Sequence, residues 1–201
     1  MKISLPENIS EIKLGQYQRY LNLVKQDLDA YTFINRKIEI FTGLKRDLVE
    51  QISRKEIEEI SVQIDKALNE DAKFVNRFFI GNVEFGFINL DKMSQAEYID
   101  VCEYSKDIEQ GTNLHKLLAV LFRPIIDKGL AQTYKVASYK GTKEYADIMK
   151  QAPMNVVNGC LGFFLTLQND LLNHILKSTE AERVKEAKQQ DTLKNGVGLH
   201  Q

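Results

Sequence analysis

Tryptophan is absent from this chain of 201 residues, proline occurs three times and cysteine twice, and neither charge is in excess. The 27 basic and 28 acidic residues give a net charge of −1 at pH 7. Because the two signs are interspersed, no domain-wide basic field exists to collect phosphates, and nucleic acid is a disfavoured partner. No Pro/Ser-rich linker marks a domain boundary in the sequence.

The two cysteines, Cys102 and Cys160, form no Cys-x-x-Cys pair. Both lie among apolar residues in segments with a helical pattern. We therefore expect both to be buried thiols in a reducing compartment rather than partners in a disulfide framework.

Long apolar runs are also missing. The most apolar run, Val156 to Leu167, is interrupted by Asn158 and is shorter than the roughly 20 residues that a membrane span needs. No apolar stretch follows the N-terminal MKISLPENIS, so we expect no signal peptide. The sequence therefore predicts that the chain does not associate with a membrane.

Helical patterns cover most of the chain. Two Ser-x-x-Glu capping boxes, Ser53 with Glu56 and Ser94 with Glu97, each predict the start of a helix. The longest helical candidate runs from Met154 to about Lys188; its first half is apolar on all sides and its second half is polar on all sides.

One segment has the character of a β-hairpin. Aromatic and β-branched residues are dense in FVNRFFIGNVEFGFINL, with Gly81-Asn82 at its centre. This pattern predicts strands at Phe74–Ile80 and Val83–Leu90 joined by a tight turn. We interpret the polar residues 127–141 as a loop.

The predicted fold class is mainly α: a helical domain with one β-hairpin in mid-chain and a polar C-terminal helical extension. The segments are an N-terminal helical part (1–73), the hairpin plus helical core (74–176) and the polar extension (177–201). A hydrophobic fraction of 43% is ordinary for globular proteins, and we expect the segments to form one compact domain overall.

No catalytic pattern is recognisable. His115, His174 and His200 are far apart in the sequence and lack a partner at a familiar metal-ligand spacing. A Gly-x-Ser-x-Gly elbow is absent, and neither dense glycine group fits a phosphate cradle. We therefore predict a protein that is not an enzyme and that takes no cofactor and no metal.

The hairpin is the first candidate contact surface, through Phe78, Phe79, Phe85 and Phe87. An isolated two-stranded hairpin is only marginally stable, so it must pack on something. Packing on the chain's own helices is one interpretation, and pairing of its edge with another chain is the other.

The second candidate is the segment ending in Phe122, Arg123 and Pro124, where an arginine among apolar residues could anchor a carboxylate or a helix C-terminus. Internal structure and partner binding both remain open for this segment. Gly159 and Gly162 complete the candidate surface because they are small enough to let another helix approach closely.

The segments INLDKMSQAEYIDVCEYSKD, NLHKLLAVLFRP and EYADIMKQAPMNVVNGCLGFFLTLQNDLL follow one another in the second half of the chain. Their order resembles small morphogenesis proteins of tailed bacteriophages, most of all the helical tail assembly chaperones. In that resemblance a helical segment (Met93 to Tyr104) precedes a Leu-Leu-Ala-x-x-x-Arg-Pro helix (Leu117 to Pro124) and a hydrophobic helix (Val156 to Leu176). It covers the chain from Gly81 onward; the N-terminal half resembles no family that we can name.

The resemblance implies a non-enzymatic protein–protein interaction protein in bacteriophage tail or neck assembly, either chaperone-like or a virion component. It implies other phage structural proteins as partners, a homo-oligomer or hetero-oligomer, and a location in the host cytoplasm during assembly or in the virion. The alternative is a helical regulator, bacterial or phage-encoded, or a small enzyme whose site is not visible in the sequence.

Overall fold

The structure is a computed structural model that describes residues 4–106, 108–129 and 133–164. The chain divides into two units, Met1–Cys160 and Leu161–Gln201. The predicted polar extension, residues 177–201, lies outside the described residues, as do His174 and His200.

Four helices form the N-terminal part of the first unit. Their bounds are α1 (Leu14–Val24), α2 (Ala30–Thr42), α3 (Arg46–Val49) and α4 (Arg54–Leu68). The predicted capping box starts α4, where the Ser53 hydroxyl accepts a hydrogen bond from Glu56 N–H at 3.3 Å and the Glu56 carboxylate accepts one from Ser53 N–H at 3.2 Å. The apolar stripe of α4, Ile57, Ile60 and Ile64, is buried against the neighbouring helices.

The rest of the first unit contains both strands and helices. The elements are β1 (Arg77–Ile80), β2 (Val83–Phe87), α5 (Gln95–Ser105), α6 (Leu114–Leu121), β3 (Phe122–Lys128), β4 (Tyr134–Val136) and α7 (Ala146–Met149). A further helix, α8, begins at residue 154, as the sequence predicts, and is described to residue 164.

Within the described residues the strands form one antiparallel sheet in the order β1-β2-β3-β4. The prediction of a mainly α chain with a single hairpin is therefore wrong, and the fold is mixed α/β. The predicted hairpin is present, with Gly81 in its turn at φ 56°, a conformation that favours glycine. It forms only half of the sheet.

The predicted loop at 127–141 is also wrong, because it contains the end of β3 and all of β4. The physical reason lies at Pro124, whose ring disfavours helical backbone at the preceding residue, Arg123. The chain consequently leaves α6 at Leu121 and continues directly as a strand. Pro124 lies opposite Phe85 in β2, and its carbonyl accepts a hydrogen bond from Ala137 N–H at 2.9 Å.

The start and the end of the first unit are joined by backbone hydrogen bonds. Leu14 N–H donates to Ala152 O at 2.9 Å, and Met154 N–H donates to Ile12 O at 2.8 Å. The beginning of α1 is thus tied to the connection between α7 and α8. The helix α6, almost wholly buried, packs against α5 and α7 beside the aromatic face of the sheet.

Candidate interaction surface

The aromatic residues of the predicted surface divide between the core and the exterior. Phe85 is 1% exposed and Phe78 and Phe122 are also buried, whereas Phe79 is 61% exposed. The Phe78 ring lies 5.8 Å from Phe85 and 5.1 Å from Phe122, centroid to centroid. Phe87, which is partly buried, lies 5.2 Å from Phe122. The hairpin therefore packs its aromatic face inside the chain and presents Phe79 outside.

Arg123 lies on the opposite face of the sheet, because successive residues of a strand point to opposite sides. It is 8% exposed, and its Nη2 is 2.6 Å from Oε1 of Glu97, which is 4% exposed. The other carboxylate oxygen of Glu97 accepts the Ser94 N–H at 2.6 Å, so one side chain both caps α5 and pairs with β3. The guanidinium carbon lies 5.7 Å from the Tyr139 ring centroid, a cation–π contact.

Two further contacts hold α5 against the segment after β4. The Tyr139 hydroxyl donates a hydrogen bond to the Asp100 carboxylate, and the Tyr104 and Thr142 hydroxyls are 3.4 Å apart. Burial and the hydrogen bond to Asp100 raise the pKa of Tyr139, so the phenol keeps the proton that it donates. Together with the Glu97–Arg123 pair, these contacts fix how α5 is rotated about its axis.

Glu97 is the buried residue of α5. The helix is therefore inverted relative to a usual amphipathic helix, because a carboxylate faces the interior and apolar side chains face solvent. Successive residues of an α-helix are separated by ~100°, so Tyr98, Cys102 and Ile99 lie roughly 100–200° from Glu97. Tyr98 is 57% and Ile99 55% exposed, and Cys102 is exposed as well. We call these three residues the outer face of α5. They are exposed to solvent because the helix is oriented with the Glu97 carboxylate toward the interior.

The sequence does not reveal this face, because Tyr98, Val101, Cys102 and Tyr104 are all apolar or aromatic and nothing local shows which of them face the interior. Val101 and Tyr104 are half-buried on the Glu97 side, and the other two are outside. The only signal in the sequence was the capping-box glutamate, whose partner Arg123 lies 26 positions later.

The thiols also differ from expectation. Cys160 is buried, and its burial raises the pKa of the thiol to about 12. Cys102 is exposed, so the prediction that both thiols are buried is wrong for this residue. The physical cause is the rotation of α5, and the nearby Cys102 thiol raises the pKa of the Tyr98 phenol.

The two candidate glycines have different surroundings. A Cβ on Gly159 would overlap the Lys73 carbonyl oxygen, so this glycine permits close approach of α8 to the extended segment before β1 rather than to another helix. Gly162 belongs to the second unit and is exposed.

The described part of the chain contains no group of three His, Cys, Asp or Glu side chains that could hold a metal ion. His115 is half-buried with its Nδ1 3.0 Å from Gln18 Nε2, and burial lowers its pKa. None of the helices described over 4–106, 108–129 and 133–164 is both long and apolar enough to cross a membrane.

The chain matches no protein-family model, no curated protein and no solved structure. Its candidate function therefore depends on its own residues and contacts.

Proposed function

We propose that this chain is a non-enzymatic protein–protein interaction protein that acts in the assembly of a bacteriophage tail or neck. It is either a chaperone-like binder or a component of the particle. The observation that supports the proposal best is the outer face of α5, where Tyr98, Ile99 and Cys102 are exposed together on a helix that is fixed from its opposite side. These three residues lie within the segment Met93 to Tyr104, which contributes to the resemblance to phage morphogenesis proteins.

The size of the outer face limits how tightly it binds. Burial of a large apolar side chain stabilises a complex by about 1.5–3 kcal/mol. Two such residues contribute about 3–6 kcal/mol at most, which reaches only the lower end of the loss of translational and rotational freedom on association, about 4–15 kcal/mol. The proposed contacts are therefore weak one at a time and become strong when they repeat around a ring or along a tail.

The proposed partners are other structural proteins of the particle, including further copies of this chain. The proposed locations are the host cytoplasm during assembly and, for a particle component, the virion. A partner with a matching apolar helix or strand suits the outer face of α5, since this face contributes two large apolar side chains and an exposed thiol.

Mass spectrometry tests the proposal, applied to purified particles of the phage that encodes the chain and to the infected cells. Many copies per particle are expected for a structural component. Abundance in cells together with absence from particles is expected for a chaperone. Absence from both would contradict the proposal.

A surface variant tests the role of α5 in the same system. We expect Tyr98→Ser with Ile99→Ser to reduce incorporation into particles, or co-purification with phage structural proteins, while the far-UV circular dichroism stays unchanged. Val62→Ser is the matched control, because Val62 is also an exposed apolar residue but lies on α4. An equal effect of both variants would assign the binding to some other surface.

A further inference from the structure

A cleft of about 630 Å³ lies beside the Glu97–Arg123 pair, between the connection that follows β2 and strand β4. Its charged lining consists of three cations, Arg123, Lys92 and Lys135, and one carboxylate, Glu97. The lining charges therefore sum to +2, and to +1 when Asp127, which pairs with Lys135, is counted as well, in a chain whose net charge is −1. This local excess of positive charge is the first observation that points to an anionic ligand.

The second observation is the state of the Arg123 guanidinium. Its Nη2 is paired with Glu97, but its Nε is buried and meets no hydrogen-bond acceptor in the described part of the chain. A buried N–H without an acceptor is unfavourable, because it has lost its hydrogen bond to water without replacement. Guanidinium groups present several N–H donors in one plane, a geometry that suits carboxylate and phosphate oxygens.

Hydrogen bonds hold one wall of the cleft in place. The Tyr134 hydroxyl donates to the carbonyl oxygens of Asn76 at 3.1 Å and Phe87 at 3.0 Å, so β4 is tied across the sheet. Burial raises the pKa of Tyr134, which keeps the donating proton in place. Its ring lies directly over Gly86, where any Cβ would overlap it. The neighbouring Lys135 is thereby held at the rim.

The rim cations are available to a ligand. Lys92 is exposed, and Lys135 is 3.2 Å from Asp127 in a pair whose members are both largely exposed. Pairs of this kind contribute little in water, so an incoming anion competes with Asp127 at small cost. Glu97 and Asp127 are the carboxylates that oppose an anion here, and Glu97 is already neutralised by Arg123.

We propose that this cleft is a binding site for an oxyanion, a carboxylate or a phosphate, with Arg123 as the buried hydrogen-bond donor and Lys92 and Lys135 as the charges at its rim. This inference goes beyond the proposed function, since it does not use the outer face of α5. Either a peptide carboxylate or a phosphate group supplies the same chemistry.

The test is an NMR titration of the full ¹⁵N-labelled chain with two probes. The first is inorganic phosphate and the second is a blocked tri-glutamate peptide, each at an ionic strength held constant with sodium chloride. We expect a saturable shift of the Arg123 Nε–H signal and of the Lys135 amide with at least one probe. The probe that saturates the site at the lower concentration shows which ligand the site prefers, a phosphate or a peptide carboxylate. Shifts no larger than those caused by chloride alone would overturn the proposal.

Substitutions of the exposed rim lysines test the site without removing a buried group that the fold needs. Arg123 is unsuitable, because its removal leaves Glu97 buried without a partner. We expect Lys92→Gln with Lys135→Gln to weaken probe binding about three- to tenfold, as exposed charges do. The control is Lys55→Gln, because Lys55 is an exposed lysine on α4. Unchanged affinity in the double variant, or an equal loss in the control, would refute the assignment.

Discussion

Replacement of Arg123 with methionine removes one partner of the buried ion pair and keeps most of the side-chain volume. Arg123 and Glu97 are 2.6 Å apart and their side chains are 10% and 5% exposed, so the carboxylate would stay buried without its cation. Breaking a buried pair in this way typically costs about 3–5 kcal/mol. Domains of this kind have free energies of unfolding of about 5–15 kcal/mol, so we expect the variant to lose a large share of its stability.

Urea unfolding followed by circular dichroism measures this loss, and a double-mutant cycle assigns it. Glu97→Met alone should be destabilising too, because it leaves Arg123 unpaired and removes the capping carboxylate of α5. The double variant should lose less than the sum of the two single losses, since it leaves no buried charge behind. The exposed pair Arg46–Glu50 is the control, and Arg46→Met should leave the urea midpoint nearly unchanged. A loss below about 1 kcal/mol for Arg123→Met would refute the view that this pair anchors α5.

Three other outcomes follow from burial and close contact. Phe85→Ala should cost about 3–5 kcal/mol in chemical denaturation because Phe85 is in the core, whereas Phe79→Ala should stay within about 0.5 kcal/mol; similar losses would contradict the division of the hairpin into two faces. Gly159→Ala should cost about 1–3 kcal/mol because its Cβ would overlap a backbone carbonyl, and a melting temperature equal to that of the unsubstituted chain would show that the close approach is absent. Iodoacetamide should modify Cys102 in the folded protein and Cys160 only after unfolding, as read by peptide mass spectrometry; equal rates would contradict the difference in burial.

Local signals in the sequence predicted local structure well. The capping boxes at Ser53 and Ser94 mark the starts of α4 and α5, and Gly81-Asn82 marks the turn between β1 and β2. Each signal lies within a few residues of the structure that it specifies, and each acts through a backbone hydrogen bond or a permitted φ angle.

The other half of the sheet was not predicted, because its signals are weak or lie far apart in the sequence. Strand β3 follows α6 without a loop. The apolar residues of the helix therefore continue into the strand, and the sequence pattern does not show where helix changes to strand. Strand β4 has only three residues and is held by pairing with β3 and by the Tyr134 hydroxyl. Of these features, only Pro124 is a signal that the sequence shows, because a proline favours an extended backbone at the preceding residue, Arg123.

The inverted helix α5 raises the question of why a carboxylate, rather than Tyr98 or Ile99, faces the interior. A buried ion pair is often no more stabilising than apolar residues of similar volume, so stability alone does not favour Glu97 at this position. A pair that joins α5 to β3 does, however, favour a single rotation of the helix, because any other rotation moves the Glu97 carboxylate away and leaves the Arg123 guanidinium buried without its partner. In that rotation the apolar residues point outward. An apolar face that is held outward by a buried polar contact suits a binding surface, and this is why we propose partner binding through α5 rather than through the aromatic face of the hairpin.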